Sequence, residues 1–144
     1  MVHSIADIMT TKLVTLPSDA SLREAHEIVR EKGIRHIPVV DKDSGRYLGV
    51  VTQKRMIAAV MNIMADYGPD AIERRERHYK VADLIEADVP TVTPDASLRD
   101  VADYFLFRKH GCLPVMDAQG QLVGIVTSSD FVRLCARLLD AQGG

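Results

Sequence analysis

The stretch that decides the fold is Asp19-Ala20-Ser21-Leu22-Arg23, because it returns 76 positions later as Asp95-Ala96-Ser97-Leu98-Arg99. An internal repeat takes precedence over every other assignment, since it sets the architecture of the whole chain. The same offset carries Thr15 onto Thr91, and Ile37-Pro38-Val39-Val40-Asp41 onto Leu113-Pro114-Val115-Met116-Asp117. Further on, Gly49-Val50-Val51-Thr52 falls on Gly124-Ile125-Val126-Thr127 at an offset of 75, so one residue is lost where Asp43-Ser44-Gly45 faces Gln119-Gly120. A surface turn tolerates that deletion.

Each copy reads as helix, hairpin, helix. Ser21-Leu22-Arg23-Glu24 has the form of a capping box, Leu22, Ala25, Ile28 and Val29 recur at helical spacing, and Gly33 ends the run. Ser97-Leu98-Arg99-Asp100 opens the twin, whose stripe is Leu98, Val101, Ala102 and Phe105. Ile34 to Val40 with Tyr47 to Val51, and Cys112 to Met116 with Leu122 to Val126, predict two antiparallel hairpins. After Thr52 and Thr127 come further helices, with stripes Met56, Ile57, Val60, Met61, Met64 and Phe131, Val132, Leu134, Cys135, Leu138. Methionines at that spacing point to core or dimer-surface packing rather than to a cofactor box.

The copies are placed at 1–60, with an N-terminal segment, and at 81–144, with a C-terminal helix; 61–80 is the linker. In it, Gly68-Pro69 predicts a turn, and Arg74-Arg75-Glu76-Arg77 a solvated helix rather than a nucleic-acid contact. Ile5-Ala6-Asp7-Ile8-Met9 and Val81-Ala82-Asp83-Leu84-Ile85 predict brief helices ahead of each copy. A copy of about 45–50 residues is small for a stable domain, so the two are expected to share one pseudo-symmetric module.

Composition agrees. With 144 residues, 47% hydrophobic, the chain has material for one domain or two very small ones. A net charge of −2 supplies no broad pull toward nucleic acid or anionic lipid. The longest apolar stretch, Ala58 to Ala65, is interrupted by Asn62 and falls short of the roughly 20 residues that span a bilayer. No basic-then-apolar leader opens the sequence, so a cytoplasmic location is expected. Cys112 and Cys135 form no Cys-x-x-Cys pair and are expected to be reduced and structural. The five histidines have no metalloprotease spacing, and phosphate-loop and nucleophile-elbow patterns are missing, so neither a catalytic nor a metal site is expected.

Taken together, Ala6-Asp7-Ile8-Met9-Thr10, Thr15 with Asp19-Ala20-Ser21-Leu22, Gly33 to Asp41, and Gly49-Val50-Val51-Thr52 resemble a CBS (cystathionine β-synthase) domain. The second copy, ending in Gly124-Ile125-Val126-Thr127-Ser128-Ser129-Asp130, resembles another. The resemblance runs from about Ser4 to about Leu138 and implies an α/β (α+β) fold: a stand-alone pair of β-α-β-β-α repeats, a Bateman module. It further implies a non-catalytic regulatory unit that binds an adenosine-containing ligand in a cleft between the repeats. The ligands it implies are AMP, ADP, ATP, S-adenosylmethionine, NADH or a cyclic dinucleotide, with Mg²⁺ as a compatible companion of the phosphates. A homodimer acting on a separate protein partner is expected.

For such a ligand, a carboxylate at the start of a helix can accept both vicinal ribose hydroxyls, and Asp130 has that place. Thr127 and Ser128 precede it where free N–H groups and hydroxyls hold a phosphate, and Gly124 permits close backbone approach. The bland alternative is a capping segment, which the same residues also make. By resemblance, Thr15 works with Asp130, and Thr91 serves the second cleft. Arg35 and His36 are candidate phosphate-neutralising groups, with a packed or surface role as the alternative for His36. The first copy departs from the pattern: Thr52-Gln53-Lys54-Arg55 puts Arg55 where the ribose-binding carboxylate is expected, and a guanidinium accepts no hydrogen bond. Two unequal clefts are therefore expected, the second, with Thr91, Thr52 and Arg55, being empty or taking only phosphate. A runner-up reading is a ligand-free dimerisation or protein-interaction module.

Overall fold

A computed structural model describes residues 2–108 and 110–143; Met1, Lys109 and Gly144, which fall within the expected copies, lie outside the described residues. The chain divides into two compact units, Val14–Asp88, and Met1–Leu13 together with Val89–Gly144. The unit boundaries differ from those of the repeats in sequence. The segment ahead of each copy packs in the unit of the other: the 3-10 turn Ile5–Asp7 belongs with the second copy, and the 3-10 turn Val81–Leu84 with the first. Apolar burial drives this, because Ile5 and Ile8 complete one core and Val81 and Leu84 the other.

The Val14–Asp88 unit runs β1 (Leu16–Pro17), α1 (Leu22–Lys32), β2 (His36–Val40), β3 (Tyr47–Thr52), α2 (Gln53–Tyr67), a 3-10 turn and α3 (Ile72–His78). The sheet order is β1-β2-β3, with β1 parallel and β3 antiparallel to β2. Helix α1 starts as expected, the Ser21 hydroxyl accepting the Glu24 N–H at 3.2 Å. It ends at Gly33, whose φ of 66° is the left-handed conformation glycine adopts freely. Its buried face, Leu22, Ala25 and Val29, packs on Ile37, Val39 and Val51 of the sheet. Truncating Leu22 there to Ala costs about 2–5 kcal/mol on the scale of comparable core deletions.

Helix α2 differs from its expected stripe. The buried residues are Met56, Ala59 and Ile63, whereas Ile57, Met61 and Met64 are 52%, 62% and 45% exposed. The helix is apolar on more than one face, and its own unit covers one. The linker helix α3 is not solvated all round either: Glu76 is only 3% exposed and lies 3.3 Å from His26 Nδ1 of α1. A buried carboxylate needs such a partner.

In the split unit, α4 (Leu98–Phe107), β4 (Cys112–Met116), β5 (Leu122–Thr127) and α5 (Ser128–Gly143) follow in order. The hairpin β4–β5 is antiparallel, and Val92 bridges Val115 in parallel where β1 lies in the first copy. Both hairpin turns are held by one aspartate: Asp41 accepts the Ser44 N–H at 2.8 Å, and Asp117 accepts the Gln119 and Gln121 N–H groups at 2.9 Å. That shared aspartate explains how the turn loses a residue without losing the hairpin. Cys112 is buried as expected, but Cys135 is exposed, because the inward side of α5 is taken by Asp130, Phe131 and Leu134. Phe131 meets Phe105 edge-to-face with centroids 5.8 Å apart.

Candidate ligand site at the strand-to-helix junctions

Where β5 passes into α5, Asp130 is 3% exposed and accepts from three donors. One carboxylate oxygen accepts the Thr127 N–H at 2.8 Å, and the other accepts the Thr10 hydroxyl at 3.0 Å and a guanidinium N–H of Arg133. Thr10 is fixed by paired backbone bonds to Ile125, donating N–H at 2.9 Å and accepting at 3.0 Å. That contact requires Gly124, since a Cβ there would lie 2.7 Å from Met9 Sδ and 3.2 Å from the Thr10 carbonyl oxygen. The close approach that Gly124 permits is thus made by a segment of its own unit. Thr127 is half-buried and Ser128 exposed at the start of α5, where the first N–H groups lack helical partners.

The junction of β3 and α2 is built alike from different groups. The Thr52 hydroxyl accepts the Arg55 N–H at 3.2 Å and caps α2. Arg55 Nε lies 3.3 Å from a carboxylate oxygen of Glu86. Glu86 is held by paired backbone bonds to Val50, at 3.1 and 2.8 Å, as Thr10 is to Ile125. A Cβ on Gly49 would stand 2.5 Å from Ile85 Cγ2 and 2.6 Å from the Glu86 carbonyl oxygen. By the repeat offsets, Glu86 is the twin of Thr10 and Arg55 the twin of Asp130. A hydroxyl–carboxylate pair in one unit has become a carboxylate–guanidinium pair in the other.

Thr10 and Glu86 were missed from sequence. Their signal was present, since the 76-residue offset that aligns Thr15 with Thr91 also aligns these two. Gly124, Thr127, Ser128 and Asp130 come together in the split unit, which also carries Thr91, exposed beside Val92. Thr15, Arg35, His36, Thr52 and Arg55 belong to the Val14–Asp88 unit. Thr15 is exposed just before β1, and His36 faces Thr52 in the β2–β3 register. Burial pushes the His36 pKa below its ordinary value, the neighbouring Arg35 charge adds to that, and Glu86 opposes it.

An apolar groove of about 120 Å³ lies between α1 and α2, lined by Val29, Met56, Ile57, Val60 and Met61. It contains no residue of either junction apart from Gln53. Among the described residues, no cluster of His, Cys, Asp or Glu is arranged to hold a metal ion, and no helix is long and apolar enough to cross a membrane.

Two β-α-β-β-α repeats, each with a Gly-x-x-Thr strand-to-helix junction, define the class of this chain as a tandem α/β repeat. It belongs to the CBS domain family, which it matches over residues 5–62 and 81–137. It is 27% identical over 137 residues to a CBS domain-containing protein of Dictyostelium discoideum, covering 94% of this chain and 93% of that one. It also matches homoserine O-acetyltransferase of Methanococcoides burtonii at 30% identity over 131 residues, but spans only 24% of that enzyme. Among solved structures, a candidate acetoin utilization protein (AcuB) of Vibrio cholerae shares a TM-score of 0.81 and 32% identity, covering 99% of this chain and 97% of that one. CBSX2 in complex with AMP shares a TM-score of 0.76 and 30% identity, covering 95% and 98% of the two chains. The CBS domain pair of protein MJ0100, in complex with 5′-methylthioadenosine and S-adenosyl-L-methionine, shares 0.74 and 25%, covering 94% and 98%.

Proposed function

We propose that this chain is a non-catalytic regulatory module that binds an adenosine-containing ligand at the β5–α5 junction. The observation that carries the reading is the buried Asp130 carboxylate, placed at the start of a helix beside the Gly124–Thr127 strand end. It accepts the vicinal ribose hydroxyls in charge-assisted bonds, while Thr127, Ser128 and the first N–H groups of α5 receive phosphate. Thr15, Arg35, His36 and, for a weaker site, Thr91, Thr52 and Arg55 are further candidates for ligand contact on the family resemblance. The AMP-bound and S-adenosylmethionine-bound relatives support this class of ligand. Binding signals to a protein partner only if the ligand distinguishes two arrangements of the chain or its homodimer.

The junction at Arg55 is assigned a different state. Its guanidinium is neutralised by Glu86 and accepts no ribose hydroxyl, so this site is closed to nucleosides.

A thermal-shift panel of AMP, ADP, ATP, 5′-methylthioadenosine, S-adenosylmethionine and NADH, with and without Mg²⁺, tests the reading. A ligand at 100 times its dissociation constant adds about 2.7 kcal/mol, hence several degrees. No shift with any of them favours the second reading, a ligand-free dimerisation module. The exposed apolar residues of α2 and α5, Ile57, Met61, Val132 and Leu139, speak for that alternative.

A further inference from the structure

Asp130 is already satisfied, and this raises the question of what yields when a ribose arrives. A carboxylate offers about four acceptor sites, and three are taken, by the Thr127 N–H, the Thr10 hydroxyl and the Arg133 guanidinium. Two ribose hydroxyls need two, so at least one present donor must leave.

The three donors differ in how freely they can go. Thr127 donates from the backbone at the end of β5, where the strand fixes it. Thr10 is half-buried on a backbone held by two bonds to Ile125, so turning its hydroxyl away from Asp130 gives up a bond with less water at hand to replace it. Arg133 donates from a long side chain on α5 that is 64% exposed, whereas the Asp130 side chain it pairs with is 2% exposed. Arg133 is the group that leaves at least cost, since water solvates its exposed guanidinium.

A displaced guanidinium stays one helical turn from the ribose and seeks an anion. The phosphate of a nucleotide is the anion that the ligand itself brings. A nucleoside, or its 5′-methylthio derivative, brings none and leaves the cation to water. Resting on the Asp130 reading above, we infer that Arg133 is a specificity-determining residue. It covers the carboxylate in the unliganded protein and exchanges it for the ligand's phosphate, so that the site selects nucleotides over uncharged adenosine compounds.

The test compares AMP with adenosine by calorimetric titration against wild type, Arg133→Gln and Arg133→Lys. Wild type is expected to prefer AMP. In Arg133→Gln, AMP binding weakens several-fold, up to about tenfold, while adenosine binding holds or tightens because no cation need be displaced. Arg133→Lys retains most of the preference, since it keeps a charge without the planar fork. A merely structural role shifts both ligands in the same direction, so an AMP-to-adenosine ratio unchanged in Arg133→Gln overturns the inference while leaving the Asp130 reading intact. Wild type that binds neither ligand overturns both.

Discussion

The Arg55 guanidinium lies 3.3 Å from the Glu86 carboxylate, at the two positions that Asp130 and Thr10 hold in the split unit. The polarity of the pair is inverted: the helix-borne acid has become a base, and the facing hydroxyl an acid. An inversion that keeps a partner at both positions leaves no stranded charge at either junction.

This pair sets a stoichiometry. AMP titrated into the wild-type protein is expected to reach one equivalent per chain, because at the other junction the helix position is held by Arg55, which accepts no hydrogen bond, and the Glu86 carboxylate is occupied by it. The double variant Arg55→Asp/Glu86→Thr, which restores the arrangement of the other junction, is expected to approach two. Two equal sites in the wild type would contradict the assignment.

Removing Asp130 tests stability and binding together. Asp130→Ala strips the Thr127 N–H, the Thr10 hydroxyl and Arg133 of their shared acceptor, at a cost of about 1–3 kcal/mol. Its melting temperature should fall by several degrees, and added AMP should no longer raise it. A variant melting like wild type and still stabilised by AMP would remove Asp130 from the site.

The two junction glycines should differ in sensitivity. A Cβ on Gly124 meets chiefly the flexible end of Met9, which can give, and Gly124→Ala should cost about 1–3 kcal/mol. A Cβ on Gly49 meets the Glu86 carbonyl at 2.6 Å and sits on a backbone with φ of 154°, so Gly49→Ala should cost more, about 2–5 kcal/mol. Urea denaturation of both variants measures the order; the reverse ranking would mean that the leading segments hold less firmly than their hydrogen bonds imply.

His36 gives a pH signature of known sign. Its folded pKa lies below its ordinary value of 6.5, so the unfolded chain binds the proton more readily. Its contribution to stability is present above about pH 6.5 and is lost as the pH falls from there through the lower folded value. Denaturation midpoints between pH 7.5 and 5.5 should decline in the wild type and decline less in His36→Gln. Equal slopes would place the acid sensitivity elsewhere.

The uncovered apolar faces bear on assembly. Light scattering is expected to show a homodimer, and Ile57→Glu combined with Leu139→Glu is expected to yield a folded monomer, since both side chains are exposed in the single chain. A monomeric wild type would rule out self-association through these faces.

The repeated Asp-Ala-Ser-Leu-Arg stretch, the capping serines, Gly33 and the hairpin strands were legible because each is a local signal with its own geometry. The β-α-β-β-α order of the repeat and its family were legible for the same reason. What escaped was non-local. Nothing in the spacing of Ile5 and Ile8 says which copy they will bury against, and the apolar surround of α2 does not mark which of its faces turns inward. The partners of Asp130 and Arg55 depended on that same exchange of leading segments, so Thr10 and Glu86 stayed hidden although their register was visible.

The exchange also dictates an order of events on the ribosome. Residues 14–88 form an uninterrupted unit that can close as soon as it has emerged. Ile5, Ile8 and Thr10 leave the tunnel before that unit, yet their partners Leu113, Ile125 and Asp130 are made only after it. While residues 14–88 are made, the segment ahead of them waits without its native partners until the β4–β5 hairpin arrives. The junction carrying Asp130 is therefore assembled after the one carrying Arg55.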